Sequence, residues 1–133
     1  MHKTVNNLIL IENTLKEKSN NINVPTIIAV SKTFPISDVL PLINHGHEHF
    51  GENKVQESLE KWTSIKNDFH NLKLHMIGSL QSNKVKYVLP LFDYIHSLDS
   101  LKLAEKISTE QKKIKKKLKI FIQVNIGNEN QKS

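Results

Sequence analysis

Short apolar runs recur along this chain, each followed by a longer stretch whose apolar residues fall at helical spacing. Thr26-Ile27-Ile28-Ala29-Val30 follows Pro25, and similar runs lie at Leu72 to Ile77, Tyr94 to Leu98 and Lys119 to Ile126. His49-Phe50-Gly51 is a shorter member of the set. Continuous runs this brief, rich in β-branched residues, read as strands buried on both faces. The stretches between them read as helices. Val5, Leu8, Ile9, Ile11 and Leu15 form the first, ended by the Asn-rich segment Asn20 to Asn23. Val39, Leu40 and Ile43 form the next, with Ser37 or Asp38 as its cap and Gly46 as its stop. Val55, Leu59, Trp62 and Ile65 share one face of a helix from Glu52 to about Asp68. Val85, Val88 and Leu89 suggest a short helix before Pro90, and Leu101 to Lys117 a longer one with Leu103, Ile107 and Ile114 inward. The order is a helix, four strand–helix units and a fifth strand. Such alternation implies right-handed crossovers and a parallel sheet, hence an α/β fold.

No composition shift suggests a linker, so residues 1–133 are expected to form a single domain. No apolar run approaches the roughly 20 residues needed to span a bilayer. The opening Met1-His2-Lys3-Thr4-Val5-Asn6-Asn7 lacks a secretory pattern, so the expected location is cytoplasmic. There is no cysteine, hence no disulfide or thiolate chemistry. The formal charge is +6, and all 19 basic residues are Lys. Arg is the usual bidentate partner of phosphate, so an all-Lys surface speaks against nucleic-acid recognition. The run Lys112, Lys113, Lys115, Lys116, Lys117 and Lys119 lacks interleaved aromatics for base stacking and reads as a solvated helix end. His45, His47 and His49 alternate, but no fourth ligand stands at a metal-site spacing, and a turn with incidental histidines is the simpler reading.

The chemistry centres on Ala29-Val30-Ser31-Lys32-Thr33. Lys32 follows an apolar strand directly, at the end where parallel α/β folds build their active sites. Burial there disfavours a charged amine, and a neutral amine attacks carbonyl carbon, which suits a Schiff base with an aldehyde cofactor. Polar residues stand at or just past the other strand ends too, in Phe50-Gly51-Glu52-Asn53, His75-Met76-Ile77-Gly78, His96-Ser97-Leu98-Asp99 and Gln123-Val124-Asn125. In a parallel sheet these converge on one rim with Lys32, as a small-ligand site requires. Singly, each also reads as a loop cap, and His75 as a packed, hydrogen-bonded core residue.

Ala29 to Thr33, Phe50-Gly51-Glu52-Asn53-Lys54-Val55-Gln56-Glu57 and His75-Met76-Ile77-Gly78-Ser79-Leu80-Gln81-Ser82-Asn83-Lys84 stand in order along the chain. Ile95 to Asp99, Gln123-Val124-Asn125, Asn128-Glu129-Asn130 and Lys132-Ser133 continue the series. Together they resemble the pyridoxal phosphate homeostasis protein family, whose (β/α) barrel is similar to the N-terminal domain of alanine racemase. The resemblance implies a partial TIM-type barrel with pyridoxal 5′-phosphate held as a Schiff base on Lys32 and Asn53, His75, Ser97 and Asn125 around it. It also implies a role in vitamin B6 balance without turnover. A racemase-like activity from Lys32 is the enzymatic alternative, and neither Tyr87 nor Tyr94 is placed as its second catalytic group. Ser82 or Asn83 reads as a helix cap.

An eight-stranded barrel takes at least roughly 200 residues, so the chain is expected to be C-terminally truncated. The family's phosphate ligands, Arg among them, lie in the missing part, and this chain has no Arg. Ile120-Phe121-Ile122-Gln123-Val124 would then be an exposed edge. Three outcomes stay open: a complementary C-terminal chain, self-association, or a product without function.

Overall fold

The structure is a computed structural model, and it describes residues 1–127. The motifs from Asn128 to Ser133 lie outside the described residues. Helix α1 (Lys3–Lys18) leads into five strand-first units. These are β1 (Ala29–Val30), α2 (Ile36–Asn44), β2 (His49–Glu52), α3 (Val55–Asp68), β3 (Lys73–Met76), a 3₁₀ turn (Ser82–Lys84) continuing into α4 (Val85–Val88), β4 (Tyr94–Leu98), α5 (Leu101–Ile114) and β5 (Lys119–Ile122).

All neighbouring strands are parallel, and they lie side by side in chain order, β1-β2-β3-β4-β5. A doubly wound sheet reverses its order part-way; this one does not. Right-handed crossovers without a reversal carry every helix to the same side of the sheet, which is the barrel arrangement. The core forms on that side. Phe50, Leu74, Met76 and Ile95 from the strands pack with Val39 and Ile43 of α2, Trp62 of α3, Val85 and Val88 of α4, and Leu103 and Ile107 of α5. The fold class is the expected α/β one.

Element ends depart from the sequence reading in several places. Only Ala29 and Val30 of the first apolar run join the sheet, because β2 offers them the two partners Phe50 and Gly51. Residues 26–28 approach as extended chain. Val30 is 52% exposed, so a run that reads as doubly buried lies on an open edge. Helix α2 starts at Ile36 with Pro35 as its cap and no side-chain cap bond; Asp38 sits in the first turn instead of capping it. Neither Ser82 nor Asn83 caps a helix, since both lie inside the 3₁₀ turn. Ile114 is exposed rather than inward, because the last turn of α5 runs past the core before Lys115 closes it in a left-handed conformation, φ 55°.

One piece of the lysine run is structural. Lys116 Nζ donates to the carbonyls of Leu89 and Phe92, each at 2.8 Å, at the C-terminal end of α4. Lys66 pairs with Asp93 at 2.8 Å, and the same Asp93 oxygen accepts from the backbone N–H of Leu74. These cations satisfy orphan carbonyls that apolar residues around them leave unpaired.

Candidate functional site

Strand register lays Val30, Gly51, His75, Tyr94 and Lys119 in one row across the sheet. Their row neighbours on either side along the strands, such as Phe50, Leu74 and Ile95, belong to the helix-covered core. By strand alternation the row therefore faces away from the helices. Two residues nearer the C-terminal ends come Lys32, Asn53, Ile77, His96 and Phe121.

Lys32 lies just past the end of β1 and is exposed, not partly buried as the apolar run before it suggests. The cause is the open edge at β1. Its two chain neighbours are held firmly. Ser31 is buried; its N–H donates to the Gly51 carbonyl at 3.0 Å and its Oγ to Glu52 Oε2 at 2.6 Å. Lys61 of α3 donates to that same carboxylate oxygen at 2.8 Å and to the Ser31 carbonyl, and Trp62 Nε1 donates to it at 3.0 Å. On the other side, the Thr33 N–H donates to Glu57 Oε1 at 2.9 Å, and Thr33 adopts a left-handed conformation, φ 68°.

Asn53 follows β2, and its Oδ1 is buried with no hydrogen-bond partner. Gly78, after β3, passes so close that a Cβ there would stand 2.7 Å from both Cβ and the carbonyl oxygen of Asn53. The glycine is required by that approach. Ser97 is buried with an unpartnered Oγ, at the point where the β4–β5 register shifts between Ile95 and Leu98. Buried polar atoms without partners are rare in folded proteins, and three of them, on Glu52, Asn53 and Ser97, stand at or near strand ends here. Asn125 lies exposed beyond β5.

His75 is the centre of a chain of three rings. Its Nε2 lies 2.9 Å from Nδ1 of His49, and its Nδ1 lies 2.8 Å from Nε2 of His96. Tyr94 stacks on His75 with centroids 4.0 Å apart, and Phe121 stacks on His96 at 4.5 Å. Burial pushes the pKa of all three histidines down; for His75 it falls to about 4, with His96 and His49 adding to the effect of burial. Neutral imidazoles carry one donor and one acceptor each, so the two bonds are satisfied when the protons point the same way along the chain.

The sequence gives no warning that His49 partners His75. His45, His47 and His49 do not share a strand face, because β2 begins only at His49. Among the described residues no group of three or more His, Asp or Glu is arranged to hold a metal ion.

A pyridoxal phosphate homeostasis protein of Haemophilus influenzae is 42% identical over 123 residues, 92% of this chain and 52% of that protein. Curated homologues of this chain are thus named pyridoxal phosphate homeostasis proteins. A family protein of Escherichia coli is 39% identical over 109 residues, 81% of this chain and 47% of its own length. The chain thus spans about half the length of these curated relatives. The structure of PipY of Synechococcus elongatus without pyridoxal phosphate superposes with a TM-score of 0.75 at 34% identity, over 89% of this chain and 56% of PipY. PipY with the cofactor bound superposes at 0.72, over 84% and 53%. No family model matches the chain.

Of the residues expected from the family resemblance, Lys32 and Asn53 stand past the ends of adjacent strands, and His75 lies one pleat below them in the sheet. Ser97 is close to the same end of β4, while Asn125 lies beyond the far edge strand. Sequence reasoning does not single out Glu57 or Lys61, reads Trp62 only as a core residue, and sets Glu52 on the rim, whereas the structure buries it. A signal did exist: Glu52 alternates with Phe50 on one face of β2, so a carboxylate falls on the core side and requires partners.

Proposed function

We propose that this chain is a cofactor-binding module that holds pyridoxal 5′-phosphate as a Schiff base on Lys32 and serves vitamin B6 homeostasis without turning over a substrate. The observation that carries the reading is Lys32, exposed just past the C-terminal end of β1, beside the strand that Asn53 follows; the Oδ1 of Asn53 is buried and unpartnered. An orphaned acceptor of this kind suits a donor on a polar ring substituent. When bound, the cofactor supplies an aldehyde and an electron-withdrawing ring. Lys32 supplies the nucleophile, Asn53 an oriented acceptor, and the neutral His75 chain an uncharged floor.

The phosphate needs other partners. A barrel of this type has eight strands, the described residues form five, and the relatives are about twice as long. In this reading a complementary segment contributes the remaining strands and the phosphate-binding groups, and the assembly works in the cytoplasm. Racemase-like turnover would need a second acid or base opposite Lys32. Tyr94 is stacked face to face on His75, and Tyr87 lies exposed on α4; neither fits that role.

Absorbance titration with pyridoxal phosphate tests the reading. The chain should develop a saturable, long-wavelength imine band, and Lys32→Ala should lose it. The same band in Lys32→Ala at equal affinity would place the cofactor elsewhere. Racemisation of L-alanine at rates above free cofactor would overturn the non-enzymatic part.

A further inference from the structure

Both chain neighbours of Lys32 are tied to α3, and by side chains four residues apart on one face of that helix. Glu57 accepts the Thr33 N–H at 2.9 Å, and Lys61 donates to the Ser31 carbonyl. Residues at this spacing stand one above the other on a helix. We propose that Glu57 and Lys61, with Glu52 beneath them, are positioning residues that aim Lys32. The inference rests on Lys32 being the cofactor lysine.

Three observations support it. Thr33 is β-branched and left-handed, φ 68°, a conformation such residues adopt only when surrounding contacts impose it. The Glu57 bond is such a contact, acting on the amide directly after Lys32. Lys61 is nearly buried, with a side chain 7% exposed, and its ammonium bridges the Ser31 carbonyl and the fully buried Glu52 carboxylate. Glu52 gathers three donors on Oε2, from Ser31, Lys61 and Trp62, while its Oε1 is left without one. One of these donors, Ser31, belongs to the segment that carries Lys32 and the other two to α3, so the carboxylate ties that segment to the helix. The exposed side chain of Lys32 thus hangs from a backbone fixed at both ends.

Glu57 is the useful position to change, because it lies at the margin of the core and binds a backbone amide that no other acceptor reaches in this structure. Amide exchange of Thr33, trace acetylation of each lysine read by mass spectrometry, and borohydride-trapped pyridoxal phosphate on Lys32 would be measured together. In the unsubstituted chain the Thr33 amide should be protected. In Glu57→Ala it should exchange about tenfold faster, the acetylation rate of Lys32 relative to Lys102 should change about threefold, and trapped cofactor should fall by a similar factor. Glu57→Gln keeps an acceptor oxygen and should restore all three, with melting temperatures held throughout.

A Thr33 amide that exchanges at the free-peptide rate in the unsubstituted chain would overturn the proposal without any variant. So would a Glu57→Ala chain in which Thr33 opens while Lys32 reacts and traps cofactor as before. Failure of the unsubstituted chain to trap cofactor at Lys32 would instead remove the functional reading, and the exchange and acetylation rates would still decide whether the clamp aims the lysine.

Discussion

His75 shows how much of a residue's behaviour depends on neighbours that the sequence does not place beside it. Its pKa falls to about 4 because the ring is buried between two other imidazoles. In the unfolded chain the ordinary value is about 6.5, so the unfolded state binds more protons between these two values. The stability associated with neutral His75 is therefore fully present above pH about 6.5 and is lost as the pH falls towards 4. Thermal melts should show a falling midpoint over that window, and His75→Gln should flatten the fall; an unchanged slope would mean the ring is not held neutral. Each tenfold difference in proton affinity is worth about 1.4 kcal/mol. Gly78 makes a second prediction at this scale. Gly78→Ala puts a methyl 2.7 Å from Asn53, which should destabilise the chain by about 1–3 kcal/mol in urea denaturation and displace the Asn53 acceptor. The positions of Lys32 and Asn53 past the ends of adjacent strands were legible because both follow strand-like runs. The role of His49 was not, because a three-residue alternation says nothing about which ring of another strand lies alongside.

Among the elements, α3 does most to shape the site. Trp62 is fully buried in the core, and its indole N–H reaches the Glu52 carboxylate at 3.0 Å. Trp62→Phe retains most of the apolar volume but removes one of the donors on a buried charge, and should cost about 1–3 kcal/mol. Trp62→Ala adds a cavity and should cost about 3–5 kcal/mol. Chemical denaturation of the two variants separates the hydrogen bond from the packing; a Trp62→Phe chain as stable as the unsubstituted one would show that the indole N–H contributes nothing. Element order and type were readable because β-branched runs and helical spacing alternate without interruption. Element ends were less so. The first apolar run spans five residues, yet only Ala29 and Val30 have strand partners. Ser37, Asp38, Ser82 and Asn83 all have cap chemistry, and none of them caps, because Pro35 and a 3₁₀ turn fix those helix starts.

At the scale of the molecule, one side of the sheet carries the core, and among the described residues the two outer strands carry open edges. Phe121 is 53% exposed, Ile122 74% and Ile126 92%, in or just after β5. A flat apolar edge pairs readily with another chain. The 133-residue chain should therefore self-associate in a concentration-dependent way by sedimentation velocity, and Ile122→Lys should reduce the association severalfold by setting a charge on that edge. Monomeric behaviour at high concentration would show that the edge is protected by some other means. The sequential strand order also carries the functional argument: it puts Lys32, Asn53 and the end of β4 on the same end of one sheet, as in the PipY fold over half its length.

The central claim is that Lys32 holds the cofactor, and borohydride trapping followed by peptide mapping tests it most directly. Incubation with pyridoxal phosphate and reduction should leave a stable label on the peptide containing Lys32, with the other 18 lysines of the 19 essentially unmodified. Label spread across the surface lysines, or undiminished in Lys32→Ala, would contradict the account.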